Sequence, residues 1–193
     1  MTKRRFVLAV LAGVLASPVL AAVGTTPGTA PQDVSLIFGS RVAQNPRFKE
    51  PVMIGDFDGD GAPDALYLVT VKPASATATF AKDVTVVEGL WYSQPLGNHG
   101  ENVVPAIVFG KSGRKFLLPG HEDRSTDFFE SPIWTQDPIP LSVAAKGSKQ
   151  FKQFAKADKR IKNDIIVIGT EAGDDTALFW TGKKFAWYEP PGD

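Results

Sequence analysis

The chain has no cysteine in its 193 residues. That excludes a disulfide framework, a thiolate nucleophile and a cysteine-ligated zinc site. Histidine is scarce, with only His99 and His121, so a centre built from several imidazoles is excluded too. Charge of one sign is also lacking: 21 Lys+Arg face 21 Asp+Glu, the formal net charge is zero, and no five-residue block of Lys and Arg occurs. A chain built to coat nucleic acid is therefore not expected. Long apolar runs are missing as well, apart from one at the start.

That run begins after MTKRR, where Lys3, Arg4 and Arg5 precede an apolar stretch from Phe6 to Leu15, then Ser17-Pro18 and Val19-Leu20-Ala21-Ala22. A basic segment, about ten apolar residues and small residues at the exit have the form of a secretory signal peptide, here residues 1–21, with cleavage after Ala21 or Ala22. The run falls short of the ~20 residues a membrane span needs, so no span is expected after processing. Removing residues 1–21 takes three basic residues and no acidic one, leaving 18 basic against 21 acidic, net −3. The expected location is a bacterial periplasm or the extracellular space. A cysteine-free exported fold must be held by packing, or by a cross-link other than a disulfide.

What the chain does have is short β-branched and aromatic runs broken by Gly, Pro, Asn and Asp, following an unpatterned leader at 22–33. The segments 65–71, 84–87, 103–109, 116–118, 165–170, 176–181 and 184–188 are expected strands. Residues 106–109 turn through Gly110-Lys111-Ser112-Gly113 into 116–118, and 177–180 turn through Thr181-Gly182 into 185–188, which predicts two hairpins. Residues 148–159 carry Phe151, Phe154 and Ala155 at helical spacing among lysines, and residues 32–42 are a second, ambiguous helix. The fold class expected for 34–193 is a single mainly β domain, predominantly antiparallel, with one or two short helices. Residues 119–140 are rich in Pro and Asp and are expected to form a long loop.

One motif carries chemistry. Residues 55–64, GDFDGDGAPD, place Asp56, Asp58, Asp60 and Asp64 at positions 1, 3, 5 and 9. Four carboxylates this close repel one another unless a cation gathers them. Hard oxygen donors at alternate positions, Gly61 for the tight turn and the carbonyl of Ala62 at position 7 answer to a Ca²⁺ shell of six to eight oxygens. An EF-hand would need Glu at position 12 and a helix beyond it. Position 12 is Tyr67, and the segment that follows is β in character.

An Asp at position 9 running straight into a strand resembles the calcium loop of the FG-GAP or VCBS repeat, the blade of integrin α-type β-propellers. The resemblance covers residues 37–71, with Phe38-Gly39 as the FG element and GDFDGDGAPD as the metal loop. It implies Asp56, Asp58, Asp60 and Asp64 as side-chain ligands, Ala62 as a carbonyl ligand, and sheets made of propeller-blade-like repeats. A degenerate copy near 156–170 aligns Asp158 with Asp58 and Asp164 with Asp64, but puts Lys156 and Arg160 where Asp56 and Asp60 stand, so its positive charge would come from the chain itself. Closed propellers take four or more blades of ~40–50 residues. This chain is too short for that number.

Enzyme signatures are wanting: there is no GxSxG elbow and no HExxH pair, and His121 beside Glu122, Asp123 and Ser125 is a triad only on paper. Catalysis is not expected. The dense aromatics Trp91-Tyr92, Phe128-Phe129, Trp134, Trp180 and Trp187-Tyr188 divide between core and surface, and Phe128, Phe129 and Trp134 are the candidates for a partner-binding surface. The expected function is an exported calcium-stabilised β domain that binds a protein or glycan. The alternative is a periplasmic inhibitor or immunity protein that blocks a secreted hydrolase or toxin through the 119–140 loop, and an enzyme comes third.

Overall fold

A computed structural model describes residues 33–48, 50–72, 75–87, 103–118, 140–169, 175–188 and 190. The expected signal peptide, nearly all of the expected leader, both histidines, Trp91-Tyr92, and Phe128, Phe129 and Trp134 lie outside the described residues. Within residues 31–193, which form one compact unit, the elements run α1 (Val34–Phe38), β1 (Val42–Gln44), β2 (Met53–Gly55), β3 (Asp64–Val71), β4 (Val84–Val86), β5 (Val103–Val108), β6 (Lys115–Leu117), β7 (Leu141–Ala144), α2 (Lys149–Ala157), β8 (Ile165–Ile168), β9 (Thr176–Trp180) and β10 (Phe185–Tyr188). The described residues are mainly β, with two short helices, as the residue patterns lead one to expect.

The first sheet has the order β1-β3-β5-β6-β4, with β2 also paired to β3, and the second is the meander β10-β9-β8-β7. Both expected hairpins are present, with Ala106 opposite Leu117 in one and Phe185 opposite Trp180 in the other. Among the described residues all strand pairings are antiparallel except β4 with β6. Three strands lie outside the expected set, namely β1, β2 and β7. Each has only three or four residues, too few to show an alternation.

Period-two alternation sorts the side chains into three apolar layers. Leu66, Leu68, Ile107, Phe109 and Phe116 of the first sheet meet Ile166, Ile168, Leu178, Trp180 and Phe185 of the second, forming the core between the sheets. At its centre the rings of Phe109 and Trp180 stand edge to face, 5.3 Å apart. The opposite parity of β3 and β5, Tyr67, Val69, Val71, Val104 and Ala106, packs with Val34 and Phe38 of α1. In the second sheet Ile165, Val167, Ala177, Phe179 and Ala186 pack with Phe151 and Phe154 of α2. The central strands are thus buried on both faces, and each fully buried Leu or Ile contributes about 1.5–3 kcal/mol.

Capping fixes the helices. Asp33 accepts the Ser35 N–H and Ser148 the Phe151 N–H, each satisfying one free helix-start donor. Trp187 and Tyr188, adjacent on β10, point to opposite faces, and Trp187 packs against the core between the sheets. Tyr188 meets the Phe154 ring of α2 edge-on at 5.7 Å. A helix covers the face that a two-layer β domain would leave to solvent.

Candidate metal centre

The acidic turn joins the end of β2 at Gly55 to the start of β3 at Asp64, and its carboxylates organise its backbone. Asp56 accepts the N–H groups of Gly59 and Gly61 at 2.9 and 3.2 Å. Asp58 accepts the Asp60 N–H at 3.1 Å, and Asp60 accepts the Ala62 N–H at 2.8 Å. Gly59 and Gly61 have φ of +82° and +84°, the left-handed region that glycine enters without steric cost. Each short acidic side chain therefore holds a backbone donor a few residues ahead, the Asx-turn habit of Asp.

Asp64 is fully buried. One of its oxygens accepts the N–H groups of Phe57 and Asp58 at 2.8 and 3.1 Å, and the other accepts the Gly110 N–H at 2.9 Å. The carboxylate thus ties the start of the turn and the β5–β6 hairpin to β3. Gly110 is required there, because a Cβ would stand 2.2 Å from the Pro63 carbonyl oxygen. The Gly110-Lys111-Ser112 segment is a hairpin turn, with the Gly113 N–H donated to the Phe109 carbonyl.

Three carboxylates come together: Asp56, Asp58 and Asp64 each present an oxygen within 4.8 Å of the others. Asp60 is not in that group, and one of its oxygens holds the Ala62 N–H. Ala62 takes part in the turn's described hydrogen bonding through that N–H. Burial holds the Asp58 carboxyl above the usual carboxylate range, with repulsion from Asp60 and Asp56 adding to it; the Asp60 N–H and the charge of Arg114 oppose the shift. Burial likewise raises Asp64, against the pull of its three N–H donors. A carboxylate has about four lone-pair positions. Asp64 has one left for a cation, whereas Asp58 and Asp60 have most of theirs.

The turn also reaches the second sheet. The Asp56 N–H donates to Asp164 at 2.9 Å, and the Asp164 N–H donates to the Asp56 carbonyl at 3.2 Å. The other Asp164 oxygen accepts the Lys146 N–H at 2.7 Å. Gly59 lies so close to Asn163 that a Cβ would meet its amide oxygen at 2.2 Å. The sequence pointed to Asp164 only through its alignment with Asp64, and nothing in the residue pattern connects it with Asp56.

Ahead of Asp164, Asp158 accepts the Arg160 N–H at 2.9 Å and takes the Arg160 side chain through Nε at 3.0 Å and Nη2 at 2.6 Å. That guanidinium holds the Asp158 carboxyl below the usual carboxylate range. No protein-family model matches the chain, and neither the curated proteins nor the solved structures provide a match.

Proposed function

We propose that this protein is an exported, non-catalytic β domain whose 55–64 turn takes a calcium ion, in the manner of the FG-GAP or VCBS loop it resembles. The ion serves the fold, and the β scaffold presents a surface to a protein or glycan partner. The observation that carries the reading is the approach of Asp56, Asp58 and Asp64 within 4.8 Å, with two of the three held in their protonated form more firmly than a free carboxyl. A divalent cation relieves both the repulsion and the desolvation, and hard oxygen donors suit calcium. Asp56, Asp58 and Asp64 would hold it, with Asp60 and the Ala62 carbonyl completing the shell the resemblance implies.

Extracellular calcium modules work with Kd of about 10⁻⁴ to 10⁻³ M. At about 10 mM calcium, binding to the folded state alone then adds roughly 1.4–2.7 kcal/mol, a rise in Tm of roughly 3–10 °C for a domain of this size. Thermal unfolding in calcium and in chelator tests this, and Asp58→Ala is expected to abolish the difference. Coincident curves for the unaltered protein overturn the calcium assignment.

A further inference from the structure

The outward face of α2 is a second feature, independent of calcium. Its inward residues Phe151 and Phe154 are buried against the second sheet, so Lys149, Lys152, Gln153 and Lys156 face solvent. Lys149, Lys152 and Lys156 stand at i, i+3 and i+7, one stripe along the helix. Exposed Lys146, Lys159 and Lys162 flank it in the adjoining turns. Residues 140–169 contain seven cations and two acids. Both acids are engaged, Asp158 by Arg160 and Asp164 by backbone N–H groups. Among the described residues no ion pair involves any of these six lysines.

The start of this arrangement works against the helix. Lys149 opens α2 and its first turn contains no acidic residue, so cations sit at the positive end of the helix dipole. Lys149–Lys152 and Lys152–Lys156 are like-charge pairs at i, i+3 and i, i+4, which are unfavourable on a helix surface. Packing gains nothing from them, since the face is exposed. Lys156 in the last turn and Lys159, whose Nζ donates to the Ala155 carbonyl at 3.4 Å, suit the helix C-terminus, so the unfavourable placements are those of Lys149 and Lys152, and local choices that oppose the fold without a structural return mark functional surface.

We propose that this face docks on an anionic phospholipid bilayer. The outward surface of a helix is convex and suits an extended array of charges more than one enclosed anion. Lysine, a point charge on a flexible stem, suits scattered headgroups, while the arginine fork that grips a single phosphate is absent from the stripe. No aromatic stands among the outward residues of α2 to stack a nucleobase. With Phe151 and Phe154 committed to the core, the helix cannot insert, so the contact is electrostatic and reversible.

The test is co-sedimentation of the purified protein, in chelator, with phosphatidylcholine vesicles with or without roughly 30% phosphatidylglycerol, beside K149Q/K152Q/K156Q. Chelator removes calcium bridging, so the result is separate from that of the calcium reading. Binding is expected only to the anionic vesicles, and it should be lost near 0.5 M salt, where screening shortens to about 4 Å. At about 1 kcal/mol per lysine the triple variant should bind roughly a hundredfold more weakly. Its Tm should be no lower than that of the unaltered protein. Absence of binding, equal binding by the variant, capture by soluble heparin without vesicle binding, or a lower Tm of the variant each overturns the proposal.

Discussion

Two turns a hundred residues apart do the same backbone work with opposite electrostatics. The turn ending at Asp64 and the turn ending at Asp164 each lead into a strand whose residues are largely buried on both faces, β3 and β8. In each, the terminal Asp accepts an N–H two residues beyond the neighbouring strand's pairing partner. Gly110 follows Val108, which is opposite Ala65, and Lys146 follows Ala144, which is opposite Ile165. In each, an Asp six residues earlier accepts the N–H of the residue two ahead, Asp60 in one case and Arg160 in the other. That last pair separates them. An acid at position 5 leaves Asp58 raised by burial and repulsion, while an arginine there lowers Asp158 through its hydrogen bonds. One turn gathers carboxylates alone, and the other pairs its carboxylate with a cation of the chain.

The comparison is broken most forcefully at the terminal aspartates. Asp64→Ala leaves three backbone N–H groups without their acceptor, at about 1–3 kcal/mol for each that stays buried. We expect a loss of about 3–5 kcal/mol in urea unfolding. Asp164→Ala affects two donors at a less buried carboxylate, and a loss of about 1–2 kcal/mol is expected. Equal losses would mean that the two residues do not differ in the way their burial implies. Next in size are the glycines. Gly59→Ala combines a positive φ with a Cβ 2.2 Å from Asn163, whereas Gly61→Ala has the φ alone and open space around it. The Gly61 variant is expected to cost about 1 kcal/mol and the Gly59 variant about twice that, measured by the same unfolding. A Gly59 variant no worse than the Gly61 one would show that the contact between the turns relaxes freely.

How much of this could be read in advance depended on run length and on reach. β3, β5, β8, β9 and β10 are legible because their residues are apolar on both faces or strongly β-branched, and the two hairpins announce themselves through Gly-rich turns. β1, β2 and β7 are not, since Val42-Ala43-Gln44 or Met53-Ile54-Gly55 fits a loop equally well. The positions of Asp56, Asp58 and Asp64 followed from spacing alone, because a local turn brings together residues close in sequence. The partnership of Asp56 with Asp164 joins residues 108 apart in the chain. Only the packing of the two sheets decides it. The covering of Tyr188 by α2 is hidden for the same reason.

A smaller effect separates the turns by pH. Asp58 has a folded-state pKa above its ordinary 3.8, so the folded state binds its proton more tightly than the unfolded chain does. Its charge costs stability at neutral pH, and that cost disappears as pH falls through the raised value. In chelator, Asp58→Asn should therefore be at least as stable as the unaltered protein at pH 7, with the gap closing as pH approaches 4. A gap that widens towards pH 4 would contradict the raised pKa.

The smallest effect is at the other turn and has the opposite sign. Asp158 is held below 3.8 by Arg160, so the stability from this pair is present above the unfolded value and is lost as pH falls through the folded one. Arg160 is largely exposed and solvent screens the pair, which limits its worth to about 0.2–1 kcal/mol. Arg160→Gln should cost that amount at pH 7 and progressively less as pH falls below 3.8, and it should return the Asp158 carboxyl towards its ordinary pKa in an NMR titration. A cost of several kcal/mol would mean that the guanidinium supports the turn as a fixed ion does, and the two turns would then differ only in where their cation comes from. A cost within the expected range, alongside a large calcium effect on the first turn, sharpens the contrast: the first turn draws substantial stability from its cation, and the second, closed mainly by the backbone bonds of Asp164, draws little.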